Sequence, residues 1–127
     1  MKRLMIEWKR LVEGGETCSR CGDTGEEVRK AATTLRQTLA PLHIEVELEE
    51  VEITLADFKK QPLESNRIFI NGRSLEEWLD GKTGQSPCCG VCGPNDCRTL
   101  VINGRSYEEI PADLITRAGL LAAGSLA

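Results

Sequence analysis

The chain holds a single histidine, and aromatic residues make up only 4% of its 127 positions. With His43 as the sole imidazole, Cys–His hydrolytic catalysis would depend on one candidate base, so that class has almost no support. Few aromatics mean few platforms on which nucleobases stack. An excess of positive charge is missing too. Lys plus Arg total 16 against 20 Asp plus Glu, for a net charge of -4. A nucleic acid or an anionic membrane surface needs a basic field, so neither is expected as a partner. No apolar run reaches the about 18 residues of a membrane span. The start Met1-Lys2-Arg3-Leu4-Met5-Ile6 is basic, but Glu7, Lys9 and Arg10 interrupt the apolar stretch that a signal peptide needs. The expected compartment is cytoplasmic. P-loop, dinucleotide-fingerprint and HExxH patterns are missing, which removes nucleotide and zinc-protease readings.

What the chain does have is six cysteines. Thiols stay mostly reduced in the cytoplasm, so this number points to redox chemistry or metal binding more than to a disulfide scaffold. A content of 40% hydrophobic and 28% charged residues is that of a globular chain. The length suits one domain. We expect a core over residues 1–81, a Cys-rich loop over 82–97, and a hairpin with a last helix over 98–127.

Leu4, Ile6 and Trp8 alternate with Glu7 and Lys9 and read as a first strand. Val28, Ala31, Ala32, Leu35, Leu39 and Leu42 recur at helical spacing and define a buried stripe. Thr24 and Glu27 have capping-box spacing, which starts this helix near Thr24. A second strand opens at His43 with Ile44, Val46 and Leu48 alternating against Glu45, Glu47 and Glu49. Its apolar phase slips at Glu50, and a bulge near Glu49 and Glu50 would account for that. The glutamate row places this strand at a sheet edge or under a thin cover, because a strand buried on both faces carries no such row. Thr54 to Gln61 reads as a short helix and Arg67 to Ile70 as a short strand. Asn71-Gly72 and Asn103-Gly104 are hairpin turns. Leu75, Trp78 and Leu79 indicate a short helix ending at Gly81. After the loop from Lys82 to Cys97, Arg98 to Ile102 and Arg105 to Ile110 pair about the second turn. Pro111 suits the first turn of the last helix, with Leu114, Ile115, Ala118, Leu121 and Ala122 as its apolar face.

Cys18 and Cys21 form a CxxC pair between the first strand and the first helix. A thiolate is the nucleophile, and helix-end N–H groups together with Arg20 lower a thiol pKa. Two intervening residues let the second thiol attack a mixed disulfide made by the first. A structural metal knuckle uses the same spacing. The order of elements, with Cys18-Ser19-Arg20-Cys21 at the first strand–helix junction and the hairpin Ile68-Phe69-Ile70-Asn71-Gly72, resembles the thioredoxin superfamily. Arg67 to Leu79 is particularly similar to its glutaredoxin end. Across the whole chain, Gly15-Glu16-Thr17-Cys18-Ser19-Arg20-Cys21 with Cys88-Cys89-Gly90-Val91-Cys92-Gly93 and Cys97-Arg98-Thr99 resembles a small bacterial and archaeal thioredoxin-like family of unknown function. The resemblance implies an α/β fold, a mixed sheet with flanking helices, and thiol–disulfide exchange at Cys18 and Cys21. Two usual features differ. Ser65-Asn66-Arg67 stands where a proline usually precedes the third strand, and Thr17 replaces the aromatic before the first cysteine.

Cys88, Cys89, Cys92 and Cys97 place four thiols close together among Gly and Pro. Such turns point backbone N–H groups at sulfur, which suits zinc or another thiophilic metal. The adjacent pair Cys88-Cys89 is awkward in one tetrahedron and suits a relay that exchanges a disulfide with Cys18-Cys21. A third possibility is one zinc held between the two CxxC units, Cys18-Cys21 and Cys89-Cys92, and a fourth is a loop held by one or two disulfides. The leading expectation is a thiol–disulfide oxidoreductase whose partners are a protein disulfide client and a dithiol reductase. Its alternatives are a thiophilic metal or metalloid binding protein without turnover, and an adaptor with structural cysteines.

Overall fold

A computed structural model describes residues 2–11, 19–53, 67–87, 96–107 and 109–126. Lys2–Leu11 forms β1, and its even-numbered residues Leu4, Ile6 and Trp8 are buried at 0–1% exposure. The first helix, α1, spans Ser19–Leu39, and a 3-10 turn at Ala40–Leu42 holds Pro41. β2 is Ile44–Ile53 and runs parallel to β1. β3 (Arg67–Ile70) is antiparallel to β1 on its other side, and β4 (Arg73–Ser74) completes the order β2-β1-β3-β4. A short helix α2, Leu75–Leu79, starts at Ser74, whose hydroxyl accepts the Glu77 N–H at 3.2 Å. A second, antiparallel sheet follows: β5 (Lys82–Pro87), β6 (Asp96–Ile102) and β7 (Arg105–Tyr107). Helix α3, Ala112–Leu126, ends the chain's described part. This mixed sheet with flanking helices and a second sheet is compatible with the thioredoxin-like α/β fold expected from the sequence.

The crossover β1–α1–β2 places the predicted stripe against the sheet. Val28, Ala31, Ala32, Leu35 and Leu39 are all buried, whereas Leu42 is 64% exposed because the helix has ended before it. Helix α3 crosses α1 closely. A Cβ at Gly119 would stand 2.5 Å from Leu35 Cδ1, so only glycine permits this approach. Ile115, Ala118 and Ala122 are buried there, but Leu121 is 47% exposed and lies off the expected apolar face. Pro111 precedes α3, and its carbonyl accepts the Ile115 N–H at 3.4 Å. Leu100, Ile102 and Ile110 bring the second sheet into the same apolar core.

Beyond Leu42 and Leu121, four expectations are corrected. Helix α1 starts at Ser19, five residues before the expected cap; Thr24 lies inside it and its hydroxyl accepts an N–H from elsewhere in the chain. No bulge interrupts β2, since Lys2↔Ile44 through Leu11↔Ile53 pair in unbroken register. The apolar phase changes faces because charge pairs take over on the helix side. Glu50 lies beside Trp8 and bonds Arg29 of α1 at 2.6 Å, while Glu52 lies beside Arg10 and bonds it at 3.3 Å. Lys82–Pro87 is a strand paired with β6, not loop, and Cys97 belongs to β6. The return strand after Asn103-Gly104 stops at Tyr107. The helix expected over Thr54 to Gln61 lies outside the described residues.

Both hairpin turns form as read. Asn71 and Gly72 have φ of 50° and 80°, and Asn103 and Gly104 have 51° and 80°, the pair of positive values that a two-residue primed turn needs. The edge position of β2 also holds. Its outer carbonyl at Val46 accepts the Arg36 Nε–H at 3.2 Å, so a side chain covers part of that edge.

Candidate thiol site at the amino end of the first helix

The site begins with Trp8. Its indole is buried under the second turn of α1, where a Cβ at Gly25 would come within 2.5 Å of the ring. Gly25 thus lets the helix rest directly on the carboxyl half of β1. Two guanidinium groups flank the same indole, Arg10 at 5.5 Å and Arg29 at 5.9 Å from ring centroids. Each is paired with a β2 carboxylate, so the local positive charge is largely balanced. Lys9 and Arg67, opposite one another on β1 and β3, both lie over Phe69 on the other sheet face.

The first turn of α1 contains Arg20 and Cys21 and no acidic residue. Within that turn no carboxylate competes with a thiolate for the helix's free N–H groups and positive pole. Cys18 lies outside the described residues, one position before the helix begins. One turn further on, Thr24 is fully buried and its Oγ1 accepts the Ile110 N–H at 3.1 Å. This bond ties the amino end of α1 to the segment between β7 and α3.

Of the second cluster, Cys88, Cys89 and Cys92 lie outside the described residues. Cys97 is the second residue of β6 and pairs with Ser86 of β5. Pro87 pairs with Asp96, so residues 88–95 start and finish at neighbouring strand ends. Among the described residues no three metal-ligating side chains stand in one group.

Apolar-lined cavities lie elsewhere among the described residues. One of about 580 Å³ is lined by Lys2, Leu39, Leu42, Ile44, Leu120 and Ala123, at the carboxyl end of α1. Position 39 lies about 27 Å along the helix axis from position 21, so this cavity is no part of the thiol site. His43 sits there as an exposed turn residue with φ 57°. No helix among the described residues is long and apolar enough to cross a membrane.

Sequence reasoning missed the role of Thr24 and the Arg10–Glu52 and Arg29–Glu50 pairs around Trp8. The slip of apolar phase at Glu50 was the one visible signal, because it marks where the helix face of β2 turns acidic.

Comparison with known proteins adds a family. Residues 4–119 match the family described as Domain of unknown function (DUF2703), a span that includes all six cysteines. A protein of Archaeoglobus fulgidus, described as an uncharacterized protein, is 48% identical over 113 residues, covering 89% of this chain and 82% of that one. No solved structure matches the chain. The chain belongs to the DUF2703 family.

Proposed function

We propose that the protein is a cytoplasmic thiol–disulfide oxidoreductase of thioredoxin-like type. The observation that carries this reading is the register of the CxxC pair on the fold. Cys18 comes one residue before α1, Cys21 lies in its first turn, and α1 crosses between parallel strands β1 and β2. In this reading Cys18 attacks one sulfur of a client disulfide, and the client's other sulfur leaves as a thiolate. Cys21 then attacks Cys18, which forms the Cys18–Cys21 disulfide and frees the second client thiolate. Two electrons pass from the protein dithiol to the client, and the two client sulfurs end as thiols. A dithiol reductant returns the pair to its starting state. Arg20 and the acid-free first turn raise the thiolate fraction of Cys18.

A second reading is favoured by the β5–β6 register. The Pro87–Asp96 pair closes the strands around a segment with Cys88, Cys89 and Cys92, with Cys97 one residue beyond. Four thiolates there suit zinc or another thiophilic metal, whose binding free energy would help close the hairpin. The test is elemental analysis of anaerobically purified protein, with free thiols titrated with and without a strong chelator. A reversible two-electron couple at Cys18-Cys21 supports the oxidoreductase. Stoichiometric metal on four thiols, with no such couple, supports a binding protein without turnover.

A further inference from the structure

Thr24 hides a hydroxyl in the core, and that hydroxyl is the acceptor for the Ile110 N–H. Ile110 is itself only 5% exposed, so water does not readily replace the acceptor if it is removed. The bond joins distant parts of the chain. On one side is α1, three residues on from Cys21. On the other is the segment that leaves β7; β7 pairs with β6, and β6 contains Cys97. Gly25, next to Thr24, rests on Trp8. The second turn of α1 is thus held from two directions, by β1 and by Ile110.

We propose that Thr24 is a positioning residue that couples the Cys18–Cys21 turn to the second sheet. The proposal rests on the thiol–disulfide reading of that turn. Thr24 acts by fixing where the amino end of α1 sits, and with it the N–H groups that form the helix's positive pole. Closing the disulfide joins two sulfurs at a bonded distance and passes two electrons and two protons to the oxidant, and in this proposal it adds a constraint at the helix end that Thr24 anchors. Coupling between two equilibria is reciprocal. If the Thr24–Ile110 bond biases the redox equilibrium, the redox state biases the opening of that bond by the same factor. One net hydrogen bond sets the scale at about fivefold.

The test is hydrogen exchange at the Ile110 amide in the full-length protein, fully reduced and after oxidation by oxidised dithiothreitol, with the Cys18–Cys21 bond verified by peptide mass. Exchange at Ile110 is expected to differ about fivefold between the two states, while amides of β3 stay unchanged. Thr24→Val is expected to shift the dithiothreitol equilibrium by a similar factor, and Thr24→Ser, which keeps the oxygen, to stay within about twofold. Equal exchange at Ile110 in both states overturns the coupling, whether or not Thr24→Val folds. A protein that forms no Cys18–Cys21 disulfide overturns the oxidoreductase reading and the coupling together. A disulfide that forms without any change at Ile110 overturns the coupling alone.

Discussion

The two sheets of this protein are built on different principles. In the first, β1 lays Leu4, Ile6 and Trp8 under a helix that returns Val28, Ala31, Leu35 and Leu39, and every one of these is buried. In the second, β5 reads Lys-Thr-Gly-Gln-Ser-Pro and brings no aliphatic or aromatic side chain of its own. It is a strand because β6 pairs with it from Lys82 to Pro87. Gly84 faces Thr99 there, and a Cβ at Gly84 would meet the Thr99 hydroxyl at 2.5 Å. The first sheet is therefore held by apolar burial. The second is held by backbone pairing and by Leu100 and Ile102 of β6.

Substitutions sharpen that contrast. Leu35→Ala empties a fully buried site on α1 against which Gly119 of α3 packs, and should cost about 3 kcal/mol in urea denaturation. Val101→Ala, at a half-buried site of β6, should cost about 1 kcal/mol. Similar losses at the two sites would end the distinction between the sheets.

Two glycines of α3 give opposite signs. Gly119→Ala drives a methyl into Leu35 and should destabilise by about 1–2 kcal/mol. Gly124→Ala meets nothing within 4 Å and should stabilise by up to about 1 kcal/mol through helix propensity. A stabilising Gly119→Ala, measured by thermal unfolding, would mean that α1 and α3 do not cross so closely.

The two Asn-Gly turns share backbone angles but not attachments. Asn71 Oδ1 accepts the Met5 N–H at 2.8 Å, and the Asn71 N–H donates to the Met5 carbonyl at 2.9 Å, which docks the first turn onto β1. Both Asn→Ala changes strain a positive φ, but Asn71→Ala also leaves a strand N–H without its acceptor. Its cost should exceed that of Asn103→Ala by about 1 kcal/mol in matched denaturation curves. Arg29→Met should have the smallest effect. It breaks a half-exposed ion pair with Glu50, and a loss of no more than about 1 kcal/mol, shrinking in high salt, is expected.

How much was legible follows the same divide. Burial leaves a period in the sequence, so β1, the stripe of α1 and the edge position of β2 were readable. Pairing leaves none, so β5 was read as loop. The bulge expected at Glu50 failed because a period counts apolar residues, whereas β2 keeps its register and fills the helix face with Glu50 and Glu52 bonded to Arg29 and Arg10. Thr24 misled for a related reason. Thr24 and Glu27 have the spacing of a local cap, but the Thr24 hydroxyl serves Ile110, a partner far along the chain. At the candidate site, the strand–CxxC–helix order was legible from local spacing. The Trp8 floor under Gly25 was not, because a close helix–strand approach leaves only a glycine to be seen.

The central claim is that Cys18 is a nucleophile that Cys21 resolves. The most direct measurement is trapping with Cys21→Ser protein and a disulfide-bonded client peptide, read by mass spectrometry beside the alkylation rate of each thiol against pH. The account predicts a stable mixed disulfide on Cys18 and a Cys18 thiol that titrates below the about 8.5 of free cysteine. Faster reaction at Cys21 in the matching Cys18→Ser protein, or two thiols that both behave as free cysteine, would contradict it.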